Sequence, residues 1–329
     1  MAKPSAAPHP DLCDSPEELL RRGFEVQKLL GTGSYGKVFL VKRRSDGKLY
    51  AMKEGNISKM SQAERADALN EIRLLASVKH TNVIRYYEAF SAGDNLYIIM
   101  EYASEGDLSA VIKSGRQTNV PLPEDALWRY LIMTCKGLQN LHEHKILHRD
   151  IKPANLFLAE DDIVKVGDLG IAKLIREGVA NTHIGTPHYM PPELWLNKPY
   201  SYSSDMWALG CCLYELMMYR VPFEARSVDE LRVKVMACKY RPIPMEKYSA
   251  DLCQVVACLL QLNAARRPSA SLLLATKQLQ RNMYLIEVPS SPGCVNLLQT
   301  IKVPRNMREG LEGMLPPAAL LSYKVVLAS

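Results

Sequence analysis

The sequence predicts an α+β fold in two lobes: a small one built on an antiparallel sheet with one helix, and a larger, mainly helical one. Three observations carry this. Between residues 24 and 101, short β-branched or alternating apolar runs recur around turn signals, broken by one segment of helical period. From Pro123 onward helical spacing prevails. Near the start of that second regime stands a dense polar stretch, ILHRDIKPAN (146–155), with VGDLG following it.

The bulk numbers are compatible with this plan. At 329 residues the chain can bury two sizeable cores, and its 47% hydrophobic and 23% charged residues are those of a soluble globular protein. A formal charge of +6 is mild for this length; it reads as a solvated basic surface and implies no nucleic-acid partner. The opening MAKPSAAPHPDLCDSPEE lacks the apolar run of a signal peptide, and no stretch approaches the ~18 apolar residues of a membrane span. A cytoplasmic protein with no membrane span is expected. Eight cysteines without a C-x-x-C pair read as reduced, mostly buried thiols, not disulfides or a zinc site.

Residues 1–23 hold Pro4, Pro8, Pro10 and Pro16 among small and polar residues and read as a mobile leader, with structure beginning near Phe24. FEVQKLL alternates as a strand does. GTGSYG then places Gly31, Gly33 and Gly36 in G-x-G-x-x-G, where absent side chains let backbone amides approach phosphate. A dinucleotide-binding loop would lead into a helix with an acidic residue about 20 positions on, but VFLV follows. A Walker A loop would need Ser or Thr after Lys37, and Val38 offers no oxygen. What remains is a strand–turn–strand. LYAMKEG gives a further strand carrying Lys53. Ser61 and Glu64 form a capping box that opens a helix, with Ala68, Ile72 and Leu75 on one face and Glu71 beside it. VIRYYEAF and LYIIMEY complete the sheet around the turn SAGDN.

The second regime opens on PEDALWRYLIMTCKGLQNLHEH, whose Pro and acids suit a helix N-terminus. It delivers Asp150, Lys152 and Asn155 on one short loop, with Asp168 after it. Two carboxylates, an amide and an ammonium are what a site needs to hold metal-bound phosphate beside a hydroxyl. His142, His144 and His148 crowd the loop, but Lys145 and Arg149 interleave, which argues against a metal cluster. LFLAEDDIVKVGD reads as a hairpin with Asp161 and Asp162 in its turn. SYSSDMWALGCCLYELMMY is apolar nearly all round, as a buried helix is, and Asp205 inside it would cost several kcal/mol if unpaired. Ser227 and Glu230 form a second capping box.

HRDIKPAN resembles the protein-kinase catalytic loop H-R-D-x-x-x-x-N, and VGDLG its D-F-G motif; their order after GTGSYG and Lys53 covers roughly residues 24–280. Lys152, two after Asp150, is the Ser/Thr-kinase pattern. LNEIRLLASVKHTNVIRYYEAF and GTPHYMPPE are similar to the NIMA-related kinases. This resemblance implies the bilobal protein-kinase fold, a kinase domain over 24–280, ATP with Mg²⁺, and protein substrates bearing Ser or Thr. It implies that Asp150, Lys152 and Asn155 are catalytic, that Asn155 and Asp168 hold the metal, and that Lys53, aimed by Glu71, meets the α/β-phosphates. The nucleotide would lie against Leu30, Gly31, Thr32 and Gly33, then Ser34, Tyr35, Gly36, Lys37 and Val38, with Ala51 beyond. Met100 would back the adenine, the backbones of Glu101 and Ala103 would bond its edge, and Asp107 would reach the ribose or a basic substrate residue. Thr182 would be the phosphosite that pairs with Arg149, placed there by an upstream kinase or by autophosphorylation, and Thr186 would contact Asp150. Arg267 would pair with Glu193, and the catalytic-loop backbone would satisfy Asp205. Cell-cycle, centrosomal, basal-body or ciliary roles follow by family alone.

The sequence departs from that family in Leu169 for the Phe of D-F-G, in P-P-E for A-P-E, and in His188 where Tyr is common. Leu169 is still apolar and can stack with His148 and Leu75. The rival reading is a catalytically silent pseudokinase scaffold, which predicts a missing metal or phosphate ligand; here each is present. Residues 281–329 carry Pro289, Pro292, Pro304, Pro316 and Pro317 without a sustained period and are expected to form a partly disordered or docked tail.

Overall fold

Strands β1 (Phe24–Gly33), β2 (Gly36–Arg43), β3 (Leu49–Asn56), β4 (Tyr86–Ala92) and β5 (Asn95–Glu101) form an antiparallel sheet in the order β1-β2-β3-β5-β4. The computed structural model describes residues 16–33, 36–169 and 187–286. The leader up to residue 15 and the proline-containing tail beyond 286 therefore lie outside the described residues. Alternation along the strands sorts the side chains: Ala51, Ile98 and Met100 face one way, and Tyr50, Met52, Tyr97 and Ile99 the other. Both faces are covered, which is why β3 and β5 read as nearly continuous apolar runs.

One cover is α2 (Gln62–Ser77), which lays Ala68, Ile72 and Leu75 on the inner face. Its capping box forms as expected: Glu64 donates its amide to Ser61 Oγ at 3.3 Å, and Ser61 donates its amide to Glu64 Oε2 at 2.7 Å. The other cover corrects the sequence reading. Residues 16–23 are not a leader; α1 (Pro16–Arg21) packs fully buried Leu19 onto Phe24, Phe39, Phe90 and Tyr97. The Arg22 guanidinium then lies 4.1 Å above the Phe90 ring.

The larger lobe comprises α3 (Leu108–Thr118), α4 (Glu124–Glu143), a hairpin of β6 (Leu156–Ala159) and β7 (Ile163–Val166), α5 (Pro192–Trp195), α6 (Tyr202–Met218), α7 (Val228–Ala237), α8 (Ala250–Leu259), α9 (Ala270–Leu274) and α10 (Lys277–Arg281). Asp161 and Asp162 sit in the hairpin turn at φ 59° and 55°, left-handed positions that Asp tolerates. Ser227 caps α7, but Glu230 reaches back to the Arg226 amide at 2.8 Å, so the second capping box closes one residue early. Helix α6 is buried on all sides over most of its length, as its composition requires.

The lobes are stitched together along β7. Ile84 donates to the Val166 carbonyl and Val166 to the Asn82 carbonyl, both at 2.9 Å, while Asn82 Nδ2 donates to the Val164 carbonyl. Lys165 Nζ spans the Thr81 carbonyl at 2.7 Å and Glu101 Oε1 at 3.0 Å. The end of β5 and the strand that delivers Asp168 are thus tied by one ammonium.

Because Leu19 fills the outer face, Leu19→Ala is expected to lower stability by about 2–5 kcal/mol, read from the denaturant midpoint. An unchanged midpoint would show that α1 is not part of the core.

Candidate active site

The loop from His148 to Asn155 is held from beneath by Asp205. This carboxylate has no exposed surface, yet it accepts four hydrogen bonds. Oδ2 takes the His148 amide at 3.1 Å and His142 Nε2 at 2.8 Å; Oδ1 takes the Arg149 amide at 3.0 Å and Tyr200 Oη at 2.5 Å. Burial alone would raise the Asp205 carboxyl, but these donors hold it below its ordinary value. The same bonds fix Arg149 at φ 68° and turn the chain toward Asp150.

His148 clamps the loop from the other side. The Asp150 amide donates to Nδ1 at 3.2 Å, so Nδ1 is bare and Nε2 carries the proton, which it donates to the Gly167 carbonyl at 2.9 Å. The ring is therefore a neutral imidazole with both nitrogens engaged, consistent with the downward shift that burial imposes on it. It links the loop that carries Asp150 to the segment that carries Asp168.

Asp150 itself is accessible. Its Oδ2 accepts from Lys152 Nζ at 2.7 Å and Asn155 Nδ2 at 2.9 Å; Oδ1 accepts nothing among the described residues. Asn155 Nδ2 also donates to the Asp150 carbonyl at 2.7 Å, which leaves the amide oxygen for other work. Across the cleft, Lys53 on β3 donates to Asp168 Oδ1, so the two side-chain charges neutralise one another. Asp168 occupies the left-handed region at φ 53°. Glu71 lies on α2, but its side chain is outside those described. An amide oxygen and a carboxylate, Asn155 and Asp168, are a hard-oxygen pair suited to Mg²⁺, which takes one or two protein oxygens and completes its shell with phosphate and water.

Gly33 and Gly36 pair across the β1–β2 turn; Ser34 and Tyr35 lie outside the described residues. Gly36 has a second reason to be glycine. At φ +122° a Cβ would fall 1.8 Å from the Glu54 carbonyl oxygen. Val38, Ala51 and Met100 share the inner-face cluster of the sheet, with Met100 in register with Ala51, while Leu30 and Thr32 stand exposed on β1. The Glu101 amide donates to the Arg85 carbonyl at 2.8 Å, so from that residue it is the carbonyl that can turn to a base. Ala103 follows, half-buried.

One side chain does something the sequence reading missed, and Leu169 packs with Leu75 as expected. Asp107 is the N-cap of α3: its Oδ1 accepts the amides of Ser109 at 2.8 Å and Ala110 at 3.0 Å. A ribose or basic residue could meet only its other oxygen. The signal was present, an Asp one residue before an apolar helical run. Leu169 is buried in the cluster that holds Leu75 and Tyr86, and its amide donates to Tyr86 Oη at 3.3 Å. Burial, and then nearby Asp168, keeps the Tyr86 phenol well above its usual range.

Thr182 and Thr186 lie outside the described residues. Arg149 is exposed and pairs with no carboxylate among them. Farther along, Glu193 and Arg267 meet in a buried bidentate pair, Nη1–Oε1 and Nη2–Oε2 both 2.8 Å. Ser204 Oγ adds a third bond to the carboxylate, and Arg267 stacks 5.0 Å from the Trp207 ring. Burial would raise the Glu193 carboxyl; Arg267 and Ser204 hold it below its ordinary value.

Comparison with known proteins follows the same lines. The protein kinase domain model matches residues 24–279. Serine/threonine-protein kinase Nek4 of Mus musculus is 41% identical over 261 residues, which is 78% of this chain and 33% of Nek4. Serine/threonine-protein kinase Nek2 of Homo sapiens is 39% identical over 260 residues, 76% of this chain and 58% of that protein. G2-specific protein kinase nimA of Emericella nidulans is 38% identical over 283 residues, 77% and 40% respectively. The chain thus spans about a third of Nek4, and 21% of the related Nek1 of Mus musculus.

The Glu193–Arg267 pair gives a direct test. Arg267→Met leaves a buried carboxylate unpaired and is expected to cost about 3–5 kcal/mol in thermal or denaturant unfolding. Glu193 binds protons less readily folded than unfolded, so its contribution is present above about pH 4.5 and lost as pH falls through the folded value. The wild type should therefore lose stability on acidification more steeply than Arg267→Met; equal slopes would remove the pair from the account.

Proposed function

The chain belongs to the protein-kinase family, among the NIMA-related kinases, and from that premise we propose that it transfers the γ-phosphoryl of ATP to Ser or Thr hydroxyls of protein substrates. One observation carries the proposal: Asp150 is anchored through Oδ2 by Lys152 and Asn155, while Oδ1 accepts no hydrogen bond from the described residues. An acceptor hydroxyl bonded to Oδ1 is oriented for attack and has a base for its proton. Lys152, already 2.7 Å from the carboxylate, offsets charge on the phosphoryl group as it passes. Lys53, paired here with Asp168, would hold the α/β-phosphates, and the strands around Gly31 and Gly36 would shield them from water. Mg²⁺, when bound through Asn155 and Asp168, supplies electrostatic stabilisation of the phosphate oxygens. Catalysis of this kind is positioning and electrostatics, and rates on the order of 1–100 s⁻¹ are typical.

Regulation is proposed at Thr182, phosphorylated by an upstream kinase or in trans by a second copy. Arg149, exposed and without a carboxylate partner among the described residues, supports a phosphate acceptor there. A G2-specific relative supports a cell-cycle role; a place in the cytoplasm, at centrosomes or at cilia is proposed from family resemblance alone. Among the described residues no helix is long and apolar enough to cross a membrane.

Asp150→Asn is expected to abolish phosphate transfer to peptides while ATP binding, followed by calorimetry, stays within about threefold. Undiminished transfer would sink the role of Asp150; no transfer by the activated wild type would favour a scaffold without turnover. Thr182→Ala should lower activity by at least about tenfold, as activation-segment control requires, and phosphate at Thr182 should be seen by mass spectrometry in the active wild type. Full activity with no phosphate there removes Thr182 from the proposal.

A further inference from the structure

Where the chain enters α6, two tyrosines meet the buried carboxylate on which the catalytic loop rests, and no step of phosphoryl transfer uses either. Tyr200 Oη donates to Asp205 Oδ1 at 2.5 Å, the oxygen that also takes the Arg149 amide at 3.0 Å. Tyr202 packs its ring on His142, with centroids 4.7 Å apart and planes inclined by 46°. His142 Nε2 is in turn the side-chain donor to Asp205 Oδ2 at 2.8 Å. Each oxygen is thus served by one tyrosine: Oδ1 by Tyr200 directly, Oδ2 by Tyr202 through the imidazole.

The tyrosines are held from outside the loop. Glu193 closes the stretch that carries them at both ends: its carbonyl accepts the amides of Leu196 at 3.1 Å and Lys198 at 2.9 Å, and its carboxylate accepts Ser204 Oγ at 2.6 Å. The Ser201 amide donates to the same Ser204 Oγ at 3.1 Å, which fixes the start of α6 between Tyr200 and Tyr202. Burial, and then Asp205, push the Tyr200 phenol well above its ordinary value, so the hydroxyl stays a donor. Without it, Oδ1 would keep the Arg149 amide alone, and a buried carboxylate short of a donor turns toward whatever can replace one. Arg149 stands at φ 68° immediately before Asp150, so a turn of Asp205 is passed to the reacting carboxylate. The nucleotide side hangs on the other oxygen: His148, whose amide binds Oδ2, holds the Gly167 carbonyl just before Asp168.

We propose that Tyr200, supported by Tyr202, is a positioning residue for phosphoryl transfer: it fixes Asp205 and, through the Arg149 amide, sets the aim of Asp150. The proposal rests on the kinase reading and deepens it. The base is aimed from the stretch between Glu193 and α6 as well as from its own loop.

The test compares steady-state transfer from ATP to a Ser-containing peptide by the activated full chain, wild type against Tyr200→Phe and Tyr202→Ala, with hydrogen exchange at the Arg149 amide followed in each. Tyr200→Phe removes one oxygen and should lower kcat about tenfold, the low end of what a hydrogen bond to a charged group supplies. KM for ATP and for peptide should both stay within about twofold, and the Arg149 amide should exchange faster. Tyr202→Ala should lower kcat about threefold, within the range of substitutions that act through an intervening residue. A Tyr200→Phe enzyme whose kcat is unchanged, whatever becomes of its melting temperature, makes the tyrosine merely structural and overturns the proposal. A reduced kcat with unchanged exchange at Arg149 overturns it too, because the route through that amide is then absent. Tyr202 is exposed, so if Tyr200→Phe fails to fold, Tyr202→Ala decides by the same two readouts. No transfer by the activated wild type overturns the kinase reading itself, an outcome distinct from both.

Discussion

A single buried carboxylate sets the geometry of the site. Asp205 has no exposed surface, and an unpaired charge there would cost several kcal/mol. Four donors converge on it, and two of them are consecutive backbone amides of the loop that bears Asp150. The loop cannot relax without stranding the charge. That is why Arg149 can be held in a left-handed conformation unusual for its residue type, and why Asp150 emerges with one oxygen braced and the other without a donor among the described residues. The anchor lies on α6, a helix buried on nearly every side, so the catalytic loop inherits the rigidity of the larger lobe's core.

From that anchor, order passes outward through polar contacts between backbone segments. The neutral His148 ring joins the Asp150 loop to Gly167, one residue before Asp168. Lys165, three residues before Asp168, reaches across to Glu101 at the end of β5. The edge of the small lobe that ends in Glu101 and the carboxylate that pairs with Lys53 are therefore set by the same short strand. A displacement of β7 would move both.

Much of this was legible in the sequence because the chemistry is local there. The catalytic loop compresses its acid, ammonium and amide into six residues, and Glu193 and Arg267 stand in motifs that name each other. The strands were readable from alternation, and α6 from its all-round apolar character. What escaped was of two kinds. Some contacts join residues with no local signal: the Leu169 amide meets a Tyr86 hydroxyl 83 positions away, and Lys165 meets Glu101 across the lobes. Other features had a signal that a stronger one masked. Pro16, Glu17 and Glu18 are a fair helix start, but α1 is only six residues long, too short for a period to show, and prolines dominate what precedes it. Asp107 was read for what a substrate would want of it, when the nearest unsatisfied donors were the amides of its own helix.

The reach of α1 bears on how the domain is delimited. The stretch shared with other kinases starts at residue 24, yet the outer layer of the sheet is closed by Leu19 and by the Arg22 guanidinium over Phe90. A fragment trimmed to the shared boundary would present Phe39, Phe90 and Tyr97 to solvent as one contiguous greasy surface, an invitation to self-association. Homology marks where the common machinery begins; the soluble unit begins at least one helix earlier.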